Sequence, residues 1–205
     1  MTKKFFRAYF AALVIVFSLA VIASAQADPQ ENIENIDIKN FGKMDERFYR
    51  GGQPKKDEFK QLAELGVTTV IDLRDDPKDY EKPIVESLGM KYVNIKMNDK
   101  TYPKQESVDE FLKLMNDPAT GVVYVHCKGG RHRTGALGAV YRYTKYEWDY
   151  DQIFKEMKDF KFYTLLWYYT PIKKFVKDYG EKIEADRAAL NSPTKTETET
   201  IAEAN

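Results

Sequence analysis

The residues best placed to do chemistry stand together at 126–135, His126-Cys127-Lys128-Gly129-Gly130-Arg131-His132-Arg133-Thr134-Gly135. They follow Val122-Val123-Tyr124-Val125, which reads as the most apolar strand of the chain. A cysteine thus leaves a buried strand, a loop of five residues with two glycines follows, and an arginine opens the next helix. Such a loop is shaped to hold an anion. The N–H groups of Lys128, Gly129, Gly130, Arg131 and His132 can converge as a nest, the helix start adds its positive dipole end, and glycine permits unusual φ and close approach. Arg133 can close the ring with two parallel hydrogen bonds to phosphoryl oxygens, a geometry that lysine cannot match.

The same field acts on Cys127. A thiol beside amide dipoles, Arg133 and a helix start is expected to ionise well below the free value of about 8.5, which makes it a nucleophile at neutral pH. A phosphate monoester held there turns its phosphorus to the sulfur, the loop stabilises charge on the equatorial oxygens, and the intermediate is a phosphocysteine. Thr134 can donate a hydrogen bond to the departing sulfur. His126 has a supporting role, orienting the loop; Lys128 and His132 either touch substrate or face solvent. Expelling an alkoxide or phenoxide needs a proton, so a general acid must stand on another loop at the same sheet edge. Asp75, Asp76 and Asp99 all follow candidate strands, and their positions alone do not separate them.

The elements that must position these groups can be read around them. Phe59, Leu62, Ala63 and Leu65 keep helical spacing across Lys56 to Glu64, with Gly66 at the C-cap position. The β-branched run Val67 to Leu73 predicts a strand, Pro83 to Leu88 a short helix, and Tyr92 to Lys96 a second strand. Ser107 followed by Glu110 reads as a capping box opening a helix whose buried stripe is Val108, Phe111, Leu112 and Met115. Another helix is expected from about Thr134, and two more over Tyr150 to Phe160 and Tyr163 to Tyr179, where the aromatic run 160–169 reads as core. The expected class is α/β, a central mostly parallel sheet flanked by helices, with the ligand outside the carboxyl ends of the strands.

Composition bounds the alternatives. The chain has 205 residues, 32 basic against 32 acidic side chains, two histidines and one cysteine. Balanced charge argues against nucleic acid as a partner, a single cysteine excludes an intrachain disulfide, and two histidines with one cysteine cannot build a structural zinc site. No metal or cofactor is expected. Lys3, Lys4 and Arg7 precede the uncharged run Ala8 to Ala25, which ends in the small residues Ala23-Ser24-Ala25 and Ala25-Gln26-Ala27. Residues 1–27 therefore read as a signal peptide. The alternative is an uncleaved anchor, since the run reaches the lower edge of the roughly 17–25 residues that span a bilayer. Both export the domain to the periplasm or medium, and a membrane contact is expected only through that segment. Residues 28–45 read as a lead-in, 46–183 as the domain, and 184–205 as a polar mobile tail. The sequence leaves the oligomeric state open.

The segment HCKGGRHRTG matches the signature of the cysteine-dependent phosphatases: HC, five residues, R, then S or T. Within that superfamily it resembles the atypical dual-specificity phosphatases, including small plant and fungal enzymes. FYRGGQP at 48–54 and VIDLR at 70–74 are similar to bacterial members. The resemblance covers about Phe48 to Phe160. It implies a dual-specificity phosphatase-like fold and metal-independent hydrolysis of phosphorylated protein or a small phosphate ester. It also implies Asp99 as the acid, because Ile95-Lys96-Met97-Asn98-Asp99 is similar to the acid-bearing segment. Cys127, Arg133, Asp99 and Thr134 are then the catalytic set. The basic loop also suits an inositol polyphosphate, whether phytate-like or a pyrophosphate, since the plant and fungal relatives include inositol pyrophosphate phosphatases. A third alternative is a silent phosphate-binding pseudophosphatase.

Overall fold

The computed structural model describes residues 35–163 and 170–191. The signal reading at 1–27, residues 28–34 of the lead-in, the 164–169 part of the aromatic run and the end of the tail lie outside the described residues. Five strands form the sheet: β1 (Gly42–Asp45), β2 (Phe48–Gly51), β3 (Thr69–Arg74), β4 (Lys91–Met97) and β5 (Val123–His126). Their order is β1-β2-β5-β3-β4; β1 pairs antiparallel with β2 and every other pair is parallel. The apolar run before Cys127 is therefore the central strand, flanked by β2 and β3.

Alternation along the strands decides the two faces. Phe48, Ile71, Leu73, Val123 and Val125 point to one side with Cys127, and Tyr49, Val70 and Tyr124 to the other. On the second side α1 (Phe59–Glu64) and α2 (Glu81–Ser87) supply Phe59, Leu62 and Val85. On the first side lie α3 (Gln105–Asn116), α4 (His132–Tyr141), α5 (Tyr150–Asp159) and α6 (Thr170–Asn191). Both faces are thus covered, which satisfies strands whose side chains are apolar in both directions. Gly66 ends α1 as expected. At φ +80 it donates to the Ala63 carbonyl while Val67 donates to Leu62, the paired bonds of a Schellman turn.

Three readings of the sequence are corrected. Ser107 does not cap α3: the helix begins at Gln105 with Lys104 as an extended N-cap, and no side chain caps it. The Ser107 N–H already donates to the Lys104 carbonyl, so Ser107 sits inside the first turn, and its hydroxyl donates to the Lys96 carbonyl. The capping box belongs to α5, where Gln152 N–H donates to Asp149 and the Gln152 side chain accepts from Asp149 N–H. Second, β1 and the Asn40 contacts described below lie within the lead-in 28–45. Third, α6 runs through Asn191 into the tail 184–205. Its apolar stripe Ile172, Phe175 and Val176 is buried, and Lys174–Asp178, Lys177–Glu181 and Lys182–Asp186 add ion pairs at helical spacing. Such exposed pairs add little individually. Together with the packed stripe, they extend a segment that composition alone presents as loose.

Replacing Asp149 with alanine should cost about 1 kcal/mol, whereas Ser107→Ala should stay within about 0.5 kcal/mol. Urea melts of the two variants check this. Equal losses would contradict the capping assignment.

Candidate active site

Strand β5 delivers Cys127 at the edge where the sheet's parallel strands end, and α4 begins five residues later at His132. The loop between them packs directly on β2. Gly130 has φ +66, and a Cβ there would lie 2.4 Å from the carbonyl carbon of Gly51 and 2.6 Å from the Gly52 nitrogen. Only glycine fits both the conformation and the approach. Tyr124 holds the other side, donating its hydroxyl to the Gly52 carbonyl at 2.6 Å.

Cys127 is only 3% exposed. Burial alone would push its thiol up. The charge of Arg133, the hydroxyl of Thr134 and the N–H groups of Thr134 and Gly129 outweigh burial and hold the thiol below its ordinary value. Thr134 is wholly buried, and its hydroxyl faces the sulfur with no other partner among the described residues.

Arg133 is 4% exposed and anchored through one nitrogen. Its Nη1 donates to Asp75 Oδ1 and to the Met97 carbonyl, both at 3.0 Å. Its Nε is buried without a partner among the described residues, which leaves a donor for a phosphoryl oxygen. The three candidate acids are separated by their surroundings. Asp75 is committed on both oxygens, to Arg133 and to Asn98 Nδ2, and Asp76 is gripped by Nε and Nη2 of Arg74. Asp99 lines the same cleft as Cys127.

That cleft encloses about 290 Å³ and is lined by Lys39, Asp99, Cys127, Lys128, Gly129, Arg131, His132 and Arg133. Cations therefore dominate its wall. His132 Nε2 also meets the Tyr163 carbonyl at 3.2 Å, and burial keeps its ring below the ordinary value, favouring the neutral form. The Arg131 guanidinium lies over the Tyr163 ring at 5.2 Å, so the Lys128 to His132 wall is partly braced by the segment after α5.

Behind the loop, on the second face of the sheet, His126 is wholly buried between two buried carboxylates. Its Nδ1 lies 3.8 Å from Asp72 and its Nε2 3.3 Å from Glu81. Burial alone would lower the ring's pKa, but Glu81, reinforced by Asp72, raises it above the ordinary value. Tyr92 donates to Asp72, and Gln53 donates to Glu81. Among the described residues these three side chains bring ligand atoms within 4.8 Å of one another. The nearest carboxylates lie against opposite nitrogens of the ring, so the two acids flank a charged imidazolium rather than converge with it on one shared ion.

Sequence reasoning missed Lys39, Asn40, Arg50 and the anchoring role of Asp75. Asn40 lies at φ +56, a conformation asparagine tolerates, and its Nδ2 donates to the carbonyls of Gly130 and Phe160 at 3.0 Å, with Gly129 at 3.4 Å. Nothing local in the sequence couples residues 40 and 130. Arg50 did carry a signal, because a charged residue stands inside an apolar strand.

A family model described as DSP-PTPase phosphatase fused to NAD+ Kinase matches residues 21–165. The chain is 30% identical over 126 residues to "Putative tyrosine-protein phosphatase OCA1" of Mycosarcoma maydis, covering 59% of this chain and 79% of that protein. It is 30% identical over 103 residues to "Inositol diphosphatase DSP3" of Arabidopsis thaliana, covering 48% of this chain and 51% of that one. Among solved structures, the core catalytic domain of the PP-IP phosphatase SIW14 from S. cerevisiae superposes with a TM-score of 0.63 at 23% identity. That match covers 75% of this chain and 93% of the other.

Iodoacetamide should alkylate Cys127 with a half-maximal rate at a pH below about 8.5, since a lowered thiol pKa brings the thiolate in earlier as pH rises. Inorganic phosphate should protect, and Arg133→Met should move the midpoint up by roughly one unit. A midpoint at or above that of free cysteine would contradict this electrostatic reading.

Proposed function

We propose how this chain, which belongs to the DSP-PTPase phosphatase family and is a cysteine-dependent phosphatase, carries out hydrolysis and on which substrates. Phosphotyrosine in proteins, with phosphoserine or phosphothreonine as further substrates, is the reading we adopt. The observation that carries the mechanism is a buried sulfur with its thiol pKa held low, inside a loop whose arginine keeps a donor unused.

The phosphoryl group sits in the loop with Lys128, Gly129, Gly130, Arg131 and His132 supplying N–H groups. Arg133 Nε, with the remainder of its fork, spans two equatorial oxygens. Cys127 Sγ attacks phosphorus in line with the leaving oxygen, the P–O bond breaks, and Asp99 gives its proton to that oxygen. The deprotonated Asp99 then takes a proton from water as the water attacks the phosphocysteine. The S–P bond breaks, and Thr134 steadies the returning thiolate. Asp99 holds this role in our scheme because Asp75 and Asp76 are tied to arginines.

A second reading has a specific observation behind it: Lys39, Lys128 and Arg131 add positive groups around the cleft beyond Arg133. They would complement further phosphates on an inositol polyphosphate. The named activity of the Arabidopsis relative supports the same class.

For location, we propose export, with residues 1–27 as signal or anchor. The support is the basic start, the uncharged run and the small residues after it. Fractionation of cells making the full chain should place the protein outside the cytoplasm; a wholly cytoplasmic pool would contradict export.

The purified protein in chelator should release phosphate from phosphotyrosine peptide, and Cys127→Ser should abolish release. Asp99→Asn should lower kcat by roughly 10²–10³ on phosphoserine peptide and much less on an activated aryl phosphate, whose leaving group needs no proton. Faster turnover of phytate or an inositol pyrophosphate than of either peptide would favour the second reading.

A further inference from the structure

Arg50 is the largest of the wholly buried side chains, and it lies directly beneath the phosphate loop. On β2 it is in register with Val125 of the adjacent parallel strand, so it shares the sheet face that carries Cys127 two residues further on. Its Nη2 donates to the Gly130 carbonyl at 3.0 Å, while Nε and Nη1 have no partner among the described residues.

The surroundings are shaped for a guanidinium. Helix α4 presents Gly135 and Gly138, where a Cβ would stand 3.8 and 3.3 Å from the Arg50 nitrogens, and the Phe160 ring lies 4.0 Å from its central carbon. Leaving a buried cation with two unused donors is costly, so packing alone gives no reason for arginine here.

The charges around it leave it uncompensated by a contact. From α5, Glu156 faces this region, but its carboxylate is taken by Nε and Nη2 of Arg142. Arg142 itself is a like charge and Tyr124 is neutral; Cys127, once ionised, supplies an opposite charge among the described residues. Burial draws the Arg50 pKa down to about 10, which still leaves a cation at neutral pH. Around the sulfur the other charged or titratable groups are Arg133 from α4, His126 from β5, and Lys39, Lys128, Arg131, His132 and Asp99 at the cleft wall.

Geometry gives the contact a direction. In a trans peptide the C=O and the following N–H point opposite ways. A Gly130 carbonyl pinned on the buried side by Arg50 and Asn40 therefore turns the Arg131 N–H toward the anion. We propose that Arg50 is a positioning residue for the phosphatase reaction: it presets the Gly130–Arg131 peptide as an anion donor and keeps a positive charge on the buried side of Cys127. This rests on the phosphatase reading of the loop.

Two substitutions separate geometry from charge. Arg50→Met removes both, and Arg50→Lys keeps the charge without the planar fork. The readouts are the pH midpoint of Cys127 alkylation and the affinity for vanadate, each on protein shown folded by circular dichroism and thermal melting. Arg50→Met should raise the midpoint by about one unit. Arg50→Lys should leave the midpoint near wild type, and both should weaken vanadate binding about tenfold. Wild-type midpoint and affinity in Arg50→Met would overturn the proposal. If that variant does not fold, Arg50→Lys decides, and unchanged vanadate affinity there overturns it. Loss of the phosphatase reading itself would show separately, as wild-type protein that binds vanadate yet turns nothing over.

Discussion

A sulfur buried to 3% exposure whose thiol pKa is nonetheless held below its ordinary value is the constraint on which the rest depends. Burying an anion costs several kcal/mol unless donors and opposite charge replace the lost water. Here the replacement is built from backbone N–H groups, the Thr134 hydroxyl and Arg133, with Arg50 as a cation on the far side. In the proposed mechanism the same donors serve a phosphoryl group, so what stabilises the thiolate also prepares the transition state.

The fold serves that loop from several directions. Central placement of β5 fixes where the cysteine emerges, and the Gly130 contact with Gly51 sets the depth of the loop. Asp75 after β3 and the Met97 carbonyl at the end of β4 hold one nitrogen of Arg133, which orients the rest of its guanidinium. His126, wedged between Asp72 and Glu81, ties the strand end to the opposite layer. Each contact joins segments far apart in sequence, so the site depends on the sheet being complete.

How much of this was legible in the sequence follows from the range of each interaction. The loop was legible because its chemistry is contiguous, from His126 to Gly135, between an apolar strand and a helix. Strands β3, β4 and β5 and the turn at Gly66 were legible from β-branched runs and a glycine at the helix end. The cap at Ser107 was misread because a capping-box pattern is short and common, while Asp149 and Gln152, which form the real box, were passed over. Arg50 stood out only as a charge inside an apolar strand, and what it clamps, like what Asn40 clamps, was not legible, since the partners lie some 80 to 90 positions away. Among Asp75, Asp76 and Asp99, resemblance favoured Asp99, and the arginine contacts of the first two supply the physical distinction that position alone did not.

The central claim is that the buried sulfur becomes the phosphoryl carrier. Its most direct test is to mix the protein with an excess of aryl phosphate, quench in acid within the first turnovers, and map the modification by mass spectrometry. The account predicts one added phosphoryl group on the peptide that contains Cys127, absent from Cys127→Ser. Phosphate release that persists in Cys127→Ser, or a phosphoryl group found on another residue, would contradict it.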